Sequence, residues 1–363
     1  MDKSAPDMDL VKDDDKASFI TLAHRLVIVL AVIFFGTLLI SPLFKQTLPQ
    51  ANGAGEVAIF GVDNSGASAL LPIPEPQLTG KSVQSAKLGE RLYLEKRLSP
   101  KNISCSYCHD ISRYGTLPQA LSPDVPNGFD QLNVPTTLNT TLNASLGWLG
   151  QSSSLESQLD EGLNNPKHMG TSWPFIIQQL RSDADYVAAF NDVYGQLPTK
   201  KTVSTAISDY HFSLTTPDSP FDRFLRGDES AISSTVKTGY RLFSKLGCIV
   251  CHQGVNVGGN LYAKYGLFKD PFLTKERLLD IDMGRFLITK DEEDKHVFRV
   301  PSLRNVAMTA PYLHDGSVAK LDAMVSLMGR YQLGMELSED DVEYIVAFLH
   351  SLTAPLPQVG KHE

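Results

Sequence analysis

Two short motifs constrain this chain more than anything else in it: Cys105-Ser-Tyr-Cys108-His109 and Cys248-Ile-Val-Cys251-His252. Together they contain all four cysteines of the 363 residues, which leaves none for a disulfide framework. Two thiols three positions apart add to the two vinyl groups of one haem, and the adjacent histidine then reaches the iron as an axial ligand. A zinc ribbon would bring two such pairs close in sequence, and these stand far apart. A thioredoxin-type redox pair has no use for a trailing histidine, and both pairs carry one. The motifs therefore predict two covalent haem c groups. One is held by Cys105 and Cys108, the other by Cys248 and Cys251, with His109 and His252 as proximal iron ligands.

A heptad of similar sequence lies upstream of each motif. Lys87-Leu-Gly-Glu-Arg-Leu-Tyr93 and Lys237-Thr-Gly-Tyr-Arg-Leu-Phe243 agree at Lys, Gly, Arg, Leu and the aromatic, with helix-like spacing of the apolar positions. A duplicated unit accounts for this. It predicts a mainly α chain of two cytochrome c-like domains, residues 81–227 around the first haem and 228–363 around the second. Near the C-terminus, Ser338 and Asp341 fit a helix cap, and Val342, Ile345, Val346 and Leu349 share a face, so 338–352 reads as a closing helix. The formal net charge of −8 argues against a nucleic-acid partner, which needs a basic footprint.

Ahead of the haem domains the chain changes character twice. Residues 1–25 are polar and Asp-rich, and from Leu26 to Phe44 the run LVIVLAVIFFGTLLISPLF carries no charge. Nineteen such residues are enough to cross about 30 Å of hydrocarbon as a helix. Lys12, Lys16 and Arg25 precede the run, while Lys45 stands alone behind it until Lys81. That bias predicts a cytoplasmic tail (1–25), a single-pass inner-membrane anchor (26–44) and periplasmic haem domains. Residues 45–80, rich in Gly, Ala, Ser and Pro, read as a linker.

From Leu88 to Leu352 the chain resembles the bacterial di-haem cytochrome c peroxidases and their MauG-type relatives, block by block and in the same order. The blocks are LGERLYLEKRLSPKNISCSYCHD from Leu88 to Asp110, Asn133-Val-Pro-Thr-Thr-Leu-Asn139, Trp148, Leu155-Glu-Ser-Gln158, and Asn165-Pro-Lys-His-Met-Gly170. FRVPSLRNVAMTAPYLHDGS from Phe298 to Ser317 and Leu327-Met-Gly-Arg-Tyr-Gln-Leu-Gly334 complete them. The resemblance implies reduction of hydrogen peroxide to water at the first haem. Electrons would arrive at the second from a small cytochrome c or a cupredoxin, with quinol left open by the tether and a homodimer also open.

By position, Met328 falls where these peroxidases place the Met ligand of the second haem, a pairing that favours the reduced state. MauG-type protein oxidases have Tyr there. Trp148 matches a Trp between the haems, a relay or an ordinary core aromatic, and Gln158 matches a distal-pocket Gln. Asn133, Thr309 and Pro311 match protein ligands of an inter-domain calcium, the last two through backbone carbonyls; oxygen donors suit Ca²⁺. Arg304 and His314 are candidates for hydrogen bonds to haem propionates.

Three departures stand out. The family's catalytic Glu is replaced by His168, no histidine lies between His109 and His168, and the usual Trp-Asp-Gly-Arg reads Trp148-Leu-Gly-Gln151. An imidazole of pKa near 6.5 can shuttle the proton that peroxide cleavage requires. It can equally ligate the iron, which would give a bis-His electron-transfer protein without peroxidase activity, or serve as a hydrogen-bonded pocket residue. A MauG-like oxidase acting on a partner protein is a further alternative.

Overall fold

The computed structural model describes residues 69–121, 132–276 and 278–357. They are mainly helical. Helices α1 (Lys81–Leu94), α2 (Leu155–Asn164), α3 (Trp173–Ser182), α4 (Ala184–Tyr194) and α5 (Lys200–Ser213) precede α6 (Pro220–Leu225) and α7 (Ser234–Lys245). The second haem motif forms the single turn α8 (Cys248–Cys251), followed by α9 (Phe286–Thr289), α10 (Leu321–Met328) and α11 (Glu339–Ser351). A two-stranded ribbon pairs β1 (Tyr262–Lys264) antiparallel with β2 (Val297–Arg299), Tyr262 opposite Arg299.

Local chemistry sets the helix starts. Ser154, Thr199 and Ser338 each accept a hydrogen bond from the backbone three residues on, satisfying donors that a helix leaves bare. Asp183 caps α4 by accepting from Asp185 N and Tyr186 N, and Gly195 closes that helix in the left-handed conformation. Of the face expected of 338–352, Val342, Ile345 and Leu349 are buried in the core, Val346 packs partly buried against it, and Phe348 joins them from α11.

The repeated heptads form the equivalent parts of two helix pairs. On α1, a Cβ added at Gly89 would collide with the backbone carbonyl of Ala206 on α5. On α7, a Cβ at Gly239 would collide with the carbonyl of Tyr344 on α11. Each glycine lets two helix backbones approach as no other residue would. The aromatic four residues later faces the haem motif. Tyr93 Oη donates to His109 O at 2.5 Å, and the Phe243 ring lies 6.4 Å from that of His252.

Two cores result. Leu88, Leu92, Ile176, Leu180, Phe190 and Ile207 belong to one, and Phe221, Tyr240, Phe243, Ile345 and Phe348 to the other. Leu70 joins the second core although it precedes both heptads. The end of the expected linker is therefore packed. Leu70 and Ile73 are fully buried, Gly254 N donates to Ala69 O at 2.8 Å, and Ile73 N donates to Asp222 Oδ1 at 3.0 Å. Apolar residues set between the prolines give this stretch a core face that its composition hid.

The inner-membrane placement is corrected. Among the described residues no helix is long and apolar enough to cross a membrane. Residues 26–44, on which that expectation stood, lie outside the described residues, as do the expected tail 1–25 and the linker up to residue 68.

Candidate active site

The residues around each Cys-x-x-Cys-His motif fit a covalently held haem. None of the four cysteines is in a disulfide. Burial pushes Cys105 and Cys248 each up to about 11, keeping them protonated and neutral. His109 Nδ1 faces Pro135 O at 3.1 Å and Gly115 O at 3.3 Å, so these carbonyls hold the proton on Nδ1 and leave Nε2 for a metal. Burial lowers the pKa of His109, against the pull of the Gly115 and Pro135 carbonyls, which raise it. His252 is pushed down to about 4 by burial. The carbonyls of Pro301 and Val257 face its ring, at a geometry too poor for Nδ1 to count as hydrogen-bonded. Gly258, at φ +120°, lets this approach happen, because a Cβ there would meet the Pro301 carbonyl and lie 3.4 Å from His252 Nδ1.

The distal candidates come from α2 and the turn after it. Gln158 lies on α2, and its Oε1 is buried without a hydrogen-bond partner. Thr171 Oγ1, just past the His168 turn, is buried and unpartnered as well. His168 donates its backbone N–H to Asn165 O at 2.9 Å. Its carbonyl accepts from Lys101 Nζ at 3.1 Å, and Pro166 O accepts from the same ammonium. Lys101 lies four residues before Cys105, so it ties the distal turn to the haem motif. Sequence reasoning passed over Glu161, one helical turn beyond Gln158. It accepts from Gln151 Nε2 at 3.3 Å and Ser152 Oγ at 3.1 Å. The helical spacing of positions 158 and 161 was the available signal.

Trp148 sits between the two halves. Its indole N–H donates to Asn133 O at 2.8 Å, its carbonyl accepts from Arg299 N at 2.9 Å, and it packs beside Leu149, Phe272 and Phe298. Asn133 N donates to His314 O at 2.7 Å, which brings the Asn133 segment beside the loop that follows Thr309 and Pro311. The Asn133 amide donates to Ala120 O at 3.0 Å, and Thr309 Oγ1 donates back to Val306 O at 3.2 Å. Met328 is the last residue of α10, where the helix widens into the π-turn Gly329–Leu333.

Two expectations change. Arg304 is already engaged by protein groups. Its Nη1 pairs with Asp222 Oδ1 at 2.8 Å, Nε donates to Val255 O, and Nη2 donates to Leu71 O. His314 Nε2 likewise bonds Asp282 Oδ1 at 2.7 Å, with its ring stacked on Phe298 at 4.4 Å. Ligand atoms of Asp282, His314 and Asp315 lie within 4.8 Å of one another, as in a metal cluster. However, Lys275 Nζ already bonds Asp282 at 2.7 Å and Asp315 at 3.0 Å, so the chain supplies its own cation there.

A family model described as di-haem cytochrome c peroxidase matches residues 83–230. The chain is 38% identical over 335 residues to the cytochrome c551 peroxidase of Pseudomonas aeruginosa, covering 89% of this chain and 92% of that one. The chain belongs to the di-haem cytochrome c peroxidase family. Within the family it is also 41% identical over 281 residues to the cytochrome c peroxidase Ccp of Escherichia coli strain K12, a match that takes in 77% of this chain but only 60% of that relative's length. Among solved structures, a MauG-like protein associated with microbial copper homeostasis superposes with a TM-score of 0.66 at 26% identity, over 78% of this chain and 93% of the other. Family membership carries two haem c groups with it, in accord with the two motifs.

Proposed function

We propose that this chain reduces hydrogen peroxide to water, drawing electrons from a small cytochrome c or a cupredoxin that meets its C-terminal half. Bound haem supplies the redox chemistry, in which two electrons and two protons convert one H₂O₂ into two waters. The reading rests first on Gln158: a buried carbonyl oxygen without a partner, on the helix that runs into the turn carrying His168. An unsatisfied buried acceptor is costly, and an O–H donor of peroxide satisfies it. The names of its relatives support the same reading, since those in Pseudomonas aeruginosa and Escherichia coli are called cytochrome c peroxidases.

In this reading Gln158 Oε1 accepts from the incoming peroxide and orients it. A ring nitrogen of His168 takes the proton from the nearer oxygen and returns it to the leaving one, the service the family obtains from Glu. His109 is held by Pro135 and Gly115 in the tautomer that ligates through Nε2. Trp148, with its N–H fixed on Asn133 and its carbonyl on Arg299, serves as the relay between the halves. Residues 81–227 and 228–363 then act as two haem domains, with Met328 the second ligand of the C-terminal haem and calcium bridging at Asn133, Thr309 and Pro311.

One observation favours a second reading. Lys101, four residues before Cys105, holds the carbonyl of His168 and so ties that turn to the first haem motif, and His168 as an iron ligand would make the protein an electron carrier. The EPR spectrum of the ferric protein decides. A high-spin signal from the N-terminal haem supports the peroxidase, and two haems that stay low-spin in the half-reduced state overturn it. In His168→Ala, turnover falls at an already open haem if His168 moves protons, whereas the haem itself opens if His168 was a ligand.

A further inference from the structure

Among the described residues, Arg299 is the strongly buried guanidinium that nothing so far explains. It closes strand β2, only 6% exposed. Its backbone N–H donates to Trp148 O at 2.9 Å and its Nε donates to Gly147 O at 2.9 Å. Its Nη1 is buried with no hydrogen-bond partner at all. Among the described residues the only titratable group with a noticeable effect on it is the Tyr262 hydroxyl, and burial pushes the guanidinium down to about 10. The contrast with Arg304 is sharp, because Arg304 is equally buried but has Asp222 against it.

A buried cation without a countercharge is expensive, and proteins keep one only where an anion completes the site. The fork of the guanidinium suits a carboxylate best, through two parallel hydrogen bonds. The two haems are the source of carboxylates that this chain carries with it. Arg299 also lies two residues before Pro301, whose carbonyl faces the ring of His252.

We propose that Arg299 holds a propionate carboxylate of the haem attached at Cys248 and Cys251, and so fixes that haem to the backbone of Gly147 and Trp148. The assignment rests on the two-haem reading but not on peroxide chemistry. It makes Arg299 a cofactor-binding residue in place of the Arg304 expected from sequence.

The test is spectroelectrochemical titration of both haems in the full chain carrying Arg299→Met or Arg299→Lys. Loss of the guanidinium leaves a carboxylate uncompensated near the iron, which favours the ferric state. The midpoint potential of the C-terminal haem should therefore fall in Arg299→Met and fall less in Arg299→Lys. It should also acquire a steeper pH dependence near neutrality as the freed propionate titrates. The propionate bending bands of that haem should move in resonance Raman spectra of both variants. An unchanged potential and pH slope with both haems attached overturns the proposal, and so does a shift confined to the N-terminal haem. If Arg299→Met does not accumulate with two haems, Arg299→Lys decides, because unmoved propionate bands there overturn the assignment. Absence of peroxide turnover would sink the proposed function and leave these readouts intact.

Discussion

Arg304 Nη1 donates to Asp222 Oδ1 at 2.8 Å, and both side chains are withdrawn almost wholly from solvent. The same carboxylate accepts from Ile73 N and from Ser219 Oγ, so one aspartate joins the start of the described chain, the N-terminus of α6 and the C-terminal half. Truncating one member of a buried pair strands the other charge, which costs about 3–5 kcal/mol. Asp222→Ala is expected to lose stability on that scale in denaturant unfolding of the haem-loaded protein. A loss under about 1 kcal/mol would mean that the pair is not buried as described.

The paired glycines make a second expectation. Gly89→Ala and Gly239→Ala each force a methyl into a backbone carbonyl, which cannot rotate away, and each should cost about 1–3 kcal/mol as overpacking. Gly162 on α2 is the control, since a Cβ there meets nothing within 4 Å. Gly162→Ala should instead gain about 0.5–1 kcal/mol through reduced backbone freedom in the unfolded chain. Thermal unfolding of the three variants side by side distinguishes the two environments.

A third expectation concerns acid. The Arg97 guanidinium hydrogen-bonds Glu95 and holds its pKa at about 2, below the ordinary 4.5. A depressed carboxyl pKa stabilises the fold above the unfolded value and loses that contribution as pH falls through the folded one. Glu95 thus stabilises above about pH 4.5, and its share drains away between about 4.5 and 2. Glu95→Gln should flatten the acid limb of a stability–pH curve inside that window and leave its slope near neutrality unchanged. An identical acid limb in the variant would show that the pair does not carry that dependence.

Much of this could be read in the sequence where the governing chemistry is local. The Cys-x-x-Cys-His turns, the cap at Ser338 and the apolar face of α11 all depend on residues a few positions apart. The duplicated heptads were visible too, although their purpose appeared only when α5 and α11 were found against the glycines. Arg304 and His314 were misjudged for the opposite reason. Each looked free to take a propionate, while the true partner of His314 lies 32 residues away and that of Arg304 lies on α6. Arg299 was overlooked although it lies in the Phe298–Ser317 block, because its significance comes from what it lacks, which no sequence pattern shows. The linker was overextended because composition weighs prolines and misses the few buried leucines and isoleucines among them.

The helix pairs closed by Gly89 and Gly239 have a consequence for how the two halves came to differ. Because a bare backbone contact fixes each pair, the pair itself tolerates little change, and the two differ in the segment running on to the cysteines. Gly89 precedes Cys105 by 16 residues (105 − 89) and Gly239 precedes Cys248 by 9 (248 − 239). The longer connector supplies Arg97, which Glu95 holds and which reaches Asp183 at the cap of α4, and Lys101, which grips the carbonyls of the His168 turn. The two glycine contacts and the two attachment motifs thus differ most in the length and cargo of the connector that joins each contact to its motif.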